Sequence, residues 1–388
     1  MYNFDEIIDL HGANALKTDV LEQRYGRSDL LPLWVADMDF RTPDFILDAL
    51  RKRIEHPILG YTIAGGGFNA AITDWLQQRH HWNVNPQHLS FVPGIVKAIS
   101  YCVNFFTQCG DKIIIQPPVY HPFKMVIEGN DRVVVNNSLQ LAQDKYSMDF
   151  DLLESQMDER CKMLVLCNPH NPAGVVWDAE TLRTLAKICA KHKVLVVADE
   201  IHADLILQEI PYTPFVTTCE EAAQNSITLR AASKTFNIAG LFGSYSITPN
   251  DTIRRQWHNY LSINEFNEGT IFSYIATEAA YRNGHQWVQE LLVYLRDNVA
   301  FIDNYLRQNI PHIKAVLPQA TYLMWLDCRA LGLSQSELVS LFVNKARLAL
   351  NSGTIFGAEG EGFMRLNFAT PRKNLETALE RLKVAVNS

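Results

Sequence analysis

The stretch VLVVADEIH, residues 194–202, decides the fold. Its first five residues form a short continuous apolar run, which is typical of a strand buried on both faces in a parallel sheet. Four more runs of this kind lie at residues 113–115, 133–135, 163–167 and 227–229. The chain therefore contains at least five candidates for buried parallel strands.

A helical pattern separates two of these runs. Leu182, Leu185, Ile188 and Cys189 recur at helical spacing between the run at 163–167 and the run at 194–198. A strand, a helix and a second strand in this order form a βαβ unit. The sequence therefore predicts an α/β fold with a mostly parallel sheet covered by helices.

The pattern changes after about Asn283. A helical stretch at 287–306 is followed by strand-like runs at 321–326 and 364–369 and by two more helices. This order is typical of a smaller α+β domain. We therefore predict a large domain at residues 45–285, and a small domain made of residues 286–388 together with the N-terminal segment 1–44.

Capping residues predict where three helices begin. Thr42 is a candidate N-cap because Pro43 follows it at the first helical position. Ser334 and Glu337 have the spacing of a capping box, and Asn374 is the candidate cap of the last helix.

The composition argues against several classes of protein. The 388 residues carry 35 Lys and Arg against 42 Asp and Glu, a net charge of −7, so nothing favours nucleic-acid binding. No stretch approaches the ~18 apolar residues of a membrane span, and residues 1–9 lack the pattern of a secretion signal. Seven scattered cysteines without a C-x-x-C pair indicate reduced thiols. We expect a cytoplasmic protein with neither a nucleic-acid nor a membrane partner.

Three of the apolar runs end in loops that carry reactive side chains. The run at 194–198 leads into Asp199, another leads into the asparagine turn NPHNPAG at 168–174, and a third leads into ASKTFN at 232–237. Ligands of open parallel sheets bind outside the carboxyl ends of the strands. We therefore expect the three loops to share one site.

Lys234 and Asp199 each allow two interpretations. Lys234 is the only cation between residues 231 and 249, so it is either a desolvated Schiff-base lysine or a loop lysine that reaches solvent. Asp199 needs a partner when buried, which is either a protonated pyridine nitrogen or the start of the next helix. No metal site is predicted, since the H-E-x-x-H pattern is absent.

Two further features complete a recognisable set. Gly94 precedes a predicted helix whose first N–H groups could hold a phosphate. The two Asn-Pro steps at 168–172 direct side-chain amides out of a rigid turn. A lysine, an aspartate, an asparagine turn and a helix N-terminus are together the parts that hold pyridoxal phosphate.

With these residues the chain resembles the fold-type I pyridoxal-phosphate enzymes of the aminotransferase class I and II superfamily, over nearly its full length. The resemblance rests on NPAG at 171–174, DEIH at 199–202 and SKTFNIAGL at 233–241. Within the superfamily the chain is most similar to the branch of cystathionine β-lyases and cysteine C–S lyases. The similar segments are PLWVADMDF at 32–40 and PVYHPF at 118–123, together with His202, where the typical transaminase has tyrosine.

The resemblance implies the fold-type I transferase fold and a role for individual residues. Lys234 would be the catalytic Schiff-base lysine, Asp199 would bind the pyridine nitrogen, and Asn171 the ring hydroxyl, with Tyr120 stacked on the ring. The implied cofactor-binding set is Gly94, Ile95, Val96, Tyr120, Asn171, Asp199, His202, Lys234 and, from the neighbouring subunit, Tyr61. The implied substrate-binding set is Val35, Ala36 and Arg365, with Arg365 on the carboxylate, although this arginine could also form a structural ion pair.

The chain departs from the superfamily pattern at two phosphate-binding positions. The arginine eight positions after the lysine is replaced by Phe242, and the serine three positions before it by Ala231. The resemblance leaves the phosphate to the amides of residues 94–96 and to the hydroxyl of Tyr61 of the partner subunit. The active unit would then be a homodimer.

These observations lead to a functional expectation. We expect a pyridoxal-phosphate-dependent C–S β-lyase that converts L-cystathionine or a related cysteine S-conjugate into a thiol, pyruvate and ammonia. An aminotransferase of class I or II is the alternative, because it shares every step as far as the carbanion at the α-carbon. A regulatory protein that carries pyridoxal phosphate is a third interpretation, against which the intact candidate catalytic residues argue.

Overall fold

Fifteen strands and fourteen α-helices make up the regular structure of residues 1–388 in the computed structural model. The strands β1 to β15 are Leu31–Pro32, Leu89–Val92, Lys112–Ile115, Val133–Asn136, Gln140–Ala142, Lys145–Ser147, Cys161–Cys167, Leu195–Asp199, Ser226–Ala231, Ser244–Ile247, Lys314–Val316, Leu323–Asp327, Leu348–Ala349, Asn351–Ser352 and Phe363–Asn367. The helices α1 to α14 are Leu16–Asp19, Leu21–Tyr25, Asp44–Ile54, Gly66–His80, Ile95–Phe106, Pro122–Glu128, Phe150–Gln156, Ala179–Lys191, Glu220–Gln224, Asp251–Ile263, Ile271–Asn283, His285–Asn309, Gln335–Ser340 and Arg372–Asn387. None of these helices combines the length and the apolar composition that crossing a membrane requires.

Seven strands form the main sheet, in the spatial order β2-β10-β9-β8-β7-β3-β4. Strands β9, β8, β7, β3 and β4 run parallel to one another, whereas β10 is antiparallel to both of its neighbours. The five apolar runs of the sequence coincide with these five parallel strands. The predicted α/β fold with a mostly parallel sheet is confirmed.

The central strands are buried on both faces, as their continuous apolar runs require. Leu164 of β7 belongs to a core cluster that includes Leu182 of α8. Its neighbour Val165 belongs to a different cluster, which includes Trp257 of α10. Successive residues of a strand point to opposite faces, so the sheet needs a helical layer on each side.

The structure corrects two of the predicted helix starts. Helix α3 begins at Asp44 with Pro43 in the N-cap position, and the Thr42 hydroxyl instead donates to the Asn237 carbonyl at 3.3 Å. Helix α14 begins at Arg372 after Pro371, so Asn374 lies within the helix and is not its cap. The N-cap is a proline in both helices, one residue after the predicted cap in α3 and three residues before it in α14. The capping box at the start of α13 is confirmed.

A second, smaller sheet lies after residue 310. Its four strands are antiparallel and lie in the order β11-β12-β15-β14. The N-terminal segment joins this part of the chain, because β1 pairs in parallel with β13. Whether the domains divide at residues 44 and 285 stays a prediction.

Truncating a side chain at the centre of the main sheet should destabilise the protein. Leu164→Ala removes methyl groups that are fully buried, and such deletions lower the free energy of unfolding by about 2–5 kcal/mol. We expect a lower urea midpoint, measured by circular dichroism. Lys162→Ala is the matched control, because Lys162 lies in the same strand but is exposed. Equal shifts for the two variants would contradict the burial of β7.

Candidate active site

The register of three parallel strands brings the reactive loops together. Cys167 of β7 lies beside Asp199 of β8, and Asp199 lies beside Leu229 of β9. Backbone hydrogen bonds of 3.0 Å, from Asn168 to Asp199 and from Glu200 to Leu229, continue this alignment into the loops. The loops therefore leave the sheet at one edge, where ligands of such sheets bind.

These loops enclose a cavity of about 340 Å³, together with the start of α5 and part of the N-terminal segment. The volume lies within the ~300–1,000 Å³ that small-molecule sites occupy. Nine of the twelve residues assigned from sequence line it, namely Ala36, Gly94, Ile95, Val96, Tyr120, Asn171, Asp199, His202 and Lys234. The remaining three, Val35, Tyr61 and Arg365, lie outside its lining.

Asp199 is a buried carboxylate at the end of β8. Its Oδ1 accepts a hydrogen bond from the Ile201 N–H at 3.1 Å. Burial raises the pKa of Asp199 to about 7, although this hydrogen bond and the charge of Lys234 act in the opposite direction. A positively charged partner in the cavity would therefore stabilise the ionised carboxylate.

Lys234 lies in the loop after β9, and its Nζ donates to the carbonyl oxygen of Ala36 at 2.5 Å. Loss of water lowers the pKa of Lys234 to about 8, and the charge of Arg365 acts in the same direction. Asp37 and Asp199 oppose this shift. A lysine with such a pKa supplies a neutral amine near physiological pH, which a nucleophile or a general base requires.

Arg365 of β15 is a buried guanidinium beside the cavity. Its Nη1 donates to Asn171 Oδ1 at 2.9 Å and its Nη2 donates to the Trp34 carbonyl at 2.8 Å, while its Nε has no partner. Burial lowers the pKa of Arg365 to about 10. No carboxylate pairs with it, so the structural ion pair considered above is absent and the guanidinium is available to an anion. Val35 is held by β15 as well, because its backbone carbonyl accepts a hydrogen bond from Asn367 Nδ2 at 2.6 Å.

His202 is buried and neutral. Burial, followed by the charge of Lys234, holds the pKa of His202 well below its ordinary value, and its Nδ1 has no hydrogen-bond partner. Its ring lies edge-on to Tyr322 with centroids 5.9 Å apart, and the Tyr322 hydroxyl donates to Ala36 at 2.9 Å. Tyr322 therefore shares the carbonyl that holds Lys234, a role that no local sequence pattern reveals.

Helix α5 directs its N-terminus at the cavity. Gly94 precedes it with φ +117°, a conformation that favours glycine. The N–H of Gly94 itself donates to the Val92 carbonyl at 2.9 Å, which leaves the amides of Ile95 and Val96 as the better candidates for an anion. The first N–H groups of a helix have no partner within it and attract negative charge.

Sequence reasoning missed Lys97, which also lines the cavity. It lies in the first turn of α5, and its Nζ is 4.3 Å from the ring centroid of Phe242. The signal in the sequence is its spacing, three residues after Gly94, which places it in the helical turn that faces the site. Other lining residues that the sequence assignment did not include are Pro93, Cys167, Ile201, Ser233, Ala239, Phe242 and Ser244.

Asp204 fastens the loop after β8 to the loop that carries Lys234. Its carboxylate accepts a hydrogen bond from Thr235 Oγ1 at 3.0 Å and lies 2.7 Å from His80 Nε2. Burial alone would raise the pKa of Asp204, but the hydrogen bond with His80 and the charge of Arg230 lower it below its ordinary range. Because Thr235 follows Lys234 directly, this contact holds the backbone beside the lysine.

Tyr61 lies in a surface loop and does not line the cavity of its own chain. Its side chain is fully exposed. Ile58, Leu59 and Ile63 in the same loop are also more than half exposed. Exposed apolar side chains concentrated in one loop are typical of a surface that another molecule covers.

Comparisons with known proteins give matches over nearly the whole chain. A profile of the family described as aminotransferase class I and II matches residues 28–382. Cystathionine beta-lyase PatB of Bacillus subtilis (strain 168) is 41% identical over 386 residues, which cover 99% of this chain and 100% of PatB.

Two solved structures have the same fold. Cystalysin from Treponema denticola, described as containing pyridoxal 5'-phosphate, has a TM-score of 0.96 and 33% identity over 100% of this chain and 99% of its own. The pyridoxal-phosphate-bound C–S lyase from Staphylococcus hominis has a TM-score of 0.92 and 33% identity, with the same coverage of 100% and 99%.

The lowered pKa of Lys234 predicts how its reactivity depends on pH. The group loses its proton as the pH rises through the pKa, so in the cofactor-free protein half of it should be neutral near pH 8. We expect the rate at which trinitrobenzenesulfonate modifies Lys234 to reach half of its maximum there, measured by peptide mass mapping. Lys234→Ala identifies the peptide. A midpoint at about pH 10.4, the ordinary pKa of lysine, would contradict the desolvated environment.

Proposed function

Because this chain belongs to the aminotransferase class I and II family, we propose that it is a carbon–sulfur lyase that uses pyridoxal 5'-phosphate. Its reaction is β-elimination from L-cystathionine or a related L-cysteine S-conjugate, which yields a thiol, pyruvate and ammonia. The observation that carries the proposal is the cavity that holds Lys234 and Asp199 together beside an unpaired Arg365. The similarity to cystathionine beta-lyase PatB supports this chemistry over transamination.

The cavity fits pyridoxal phosphate. Asp199 offers a buried carboxylate to a protonated pyridine nitrogen, and the Nδ1 of His202 is buried without a partner. Since Asn171 Oδ1 accepts from Arg365, the NH₂ group of Asn171 is left to donate to a ring hydroxyl. Tyr120 supplies an aromatic face in the cavity wall. When bound, pyridoxal phosphate supplies an electron sink for negative charge at the α-carbon of the substrate.

The first turn of α5 supplies the phosphate site in this proposal. The amides of Ile95 and Val96 carry the positive end of the helix dipole. Lys97 adds a full positive charge in the same turn, beside Phe242. This charge compensates for the arginine that the superfamily carries at the position of Phe242.

Lys234 moves the proton in the reaction. With a pKa of about 8, a useful fraction of its amine is neutral near physiological pH and can accept a proton from the α-carbon. The carbonyl of Ala36 positions Nζ within the cavity. Loss of the thiolate from the β-carbon then needs no second substrate, and hydrolysis of the remaining fragment gives pyruvate and ammonia.

Arg365 orients the substrate. Its planar guanidinium is fixed by Asn171 and Trp34 and carries no carboxylate partner, so it can bind the α-carboxylate of an amino acid. The same hydrogen bond to Asn171 links the carboxylate site to the cofactor site. The geometry therefore couples the position of the α-carbon to the position of the ring.

The proposed reaction should proceed without an amino acceptor. Protein loaded with pyridoxal phosphate should release pyruvate and a thiol from L-cystathionine when no 2-oxo acid is added, measured with a lactate dehydrogenase coupled assay. Lys234→Ala should lower kcat by ~10²–10⁴-fold, because the general base is lost. Lys52→Ala, at an exposed lysine of α3, is the control. Pyruvate release that depends on an added 2-oxo acid would instead indicate an aminotransferase.

We further propose that the active unit is a homodimer in which Tyr61 of the partner subunit completes each site. The support is the full exposure of the Tyr61 side chain and the exposed apolar residues around it. A phenol hydroxyl from a second subunit would add a hydrogen-bond donor to the amides of Ile95 and Val96 and the ammonium group of Lys97. The binding site would then be complete only in the dimer.

A hybrid dimer with one Tyr61→Ala subunit and one Lys234→Ala subunit tests this arrangement. If Tyr61 serves the neighbouring site, one of the two sites keeps both residues, so the hybrid should have about half of the wild-type activity. Differently tagged subunits, co-expressed and purified through both tags, provide the sample. Both variant homodimers are controls. If the hybrid has no more than half of the activity of the Tyr61→Ala homodimer, Tyr61 acts within its own chain.

We also propose a cytoplasmic location. All seven cysteines are free, and five of them are buried. A chain that relies on no disulfide suits a reducing compartment, where thiols stay reduced.

A further inference from the structure

Arg24, near the end of α2, is an exposed arginine whose guanidinium lies over aromatic rings. Its guanidinium lies 4.3 Å from the ring centroid of Trp34 and 5.8 Å from that of Tyr25. No ion pair of the structure includes Arg24, whereas Arg27 is paired with Asp29 at 2.8 Å. Arg24 is therefore held in place by aromatic contact but is not neutralised.

Trp34 connects Arg24 to the substrate-binding arginine. The Arg24 guanidinium lies over the indole ring of Trp34. The backbone carbonyl of Trp34 accepts a hydrogen bond from Arg365 at 2.8 Å. The Arg365 guanidinium lies 4.8 Å from the Phe356 ring centroid. His121 packs edge-on against that ring, with centroids 6.1 Å apart. The two arginines thus belong to one continuous group of contacts.

The charge of Arg24 acts on two other members of this group, His121 and Arg365. Burial is the largest cause that lowers the pKa of His121 to about 4, and the charges of Arg365 and Arg24 add to it. The charge of Arg24 also lowers the pKa of Arg365, after burial. His121 is therefore neutral near pH 7, and its buried Nδ1 has no partner.

Two unpaired guanidinium groups in one region suit a ligand with two anionic groups. Arg365 is engaged by the α-carboxylate in the proposed function, which leaves Arg24 free. A guanidinium stacked on an indole keeps its N–H edge open, and that edge matches a carboxylate in a two-point contact.

We propose that Arg24 binds a carboxylate at the far end of the sulfur substituent, so that the enzyme selects L-cysteine S-conjugates that carry two carboxylates. This inference rests on the proposed function, because it assumes that Arg365 holds the α-carboxylate. It extends that function by naming the residue that recognises the second carboxylate, a group that L-cystathionine also carries.

A pair of substrates of equal length and shape isolates the charge. S-(3-carboxypropyl)-L-cysteine ends in a carboxylate, and S-(3-carbamoylpropyl)-L-cysteine ends in a neutral amide. Pyruvate release from each substrate gives kcat and KM for the wild-type holoenzyme and for Arg24→Gln. Arg27→Gln is the matched control, because it removes the same charge three residues away.

The wild type should prefer the carboxylate substrate. Arg24→Gln should raise KM for that substrate about five- to tenfold, while kcat changes by less than about twofold, as expected when an interaction shared by ground and transition states is lost. KM for the amide substrate should stay the same. Arg24→Lys should restore only part of the preference, because it keeps the charge but loses the planar stack.

Two results would overturn the inference while leaving the proposed function intact. One is a wild type that turns over both substrates equally well. The other is an Arg24→Gln variant that loses the same factor on both substrates, which would show a structural effect of Arg24. If the wild type releases pyruvate neither from these two substrates nor from L-cystathionine, the proposed function itself is wrong and the inference falls with it.

Discussion

The alignment of β7, β8 and β9 is the constraint on which the rest of the structure depends. Because these strands are parallel and in register through Cys167, Asp199 and Leu229, three loops leave the sheet at the same edge. A shift of β8 by one residue would turn the Asp199 side chain to the opposite face. A buried carboxylate is costly unless a cation or hydrogen-bond donor meets it. The register, the cavity and the position of Lys234 are therefore coupled.

Loss of water has opposite effects on the two ionisable groups of the cavity. It raises the pKa of Asp199 to about 7 and lowers the pKa of Lys234 to about 8, because it disfavours the charged form of each. The attraction between the two groups opposes both shifts. Groups with pKa values near neutrality in one cavity are typical of a functional site. A protonated pyridine nitrogen beside Asp199 would favour the ionised carboxylate and offset the cost of burying it.

Most of the sheet and of the site could be predicted because the decisive signals are local. A parallel strand buried on both faces is a continuous apolar run, and its loop follows directly in the sequence. Strand β10, Ser244–Ile247, could not be predicted in this way, because it alternates serine with larger side chains and is not a continuous apolar run. Its serines are buried because the strand pairs with a neighbour on each side. Contacts between residues that are distant in the sequence also leave no local signal. The hydrogen bond from Arg365 to Asn171 spans 194 positions, and Lys97 belongs to the site only because α5 points its first turn at the cavity.

Reduction of the pyridoxal-phosphate-loaded protein with sodium borohydride tests most directly whether Lys234 is the residue at the centre of the site. Reduction makes the link between a lysine and the cofactor permanent, so mass spectrometry of the digested protein identifies the lysine. We expect the phosphopyridoxyl group on Lys234 and on no other lysine, and none in Lys234→Ala. A label on another lysine of the cavity, such as Lys97, would contradict the assignment. So would a loaded protein that carries no label after reduction.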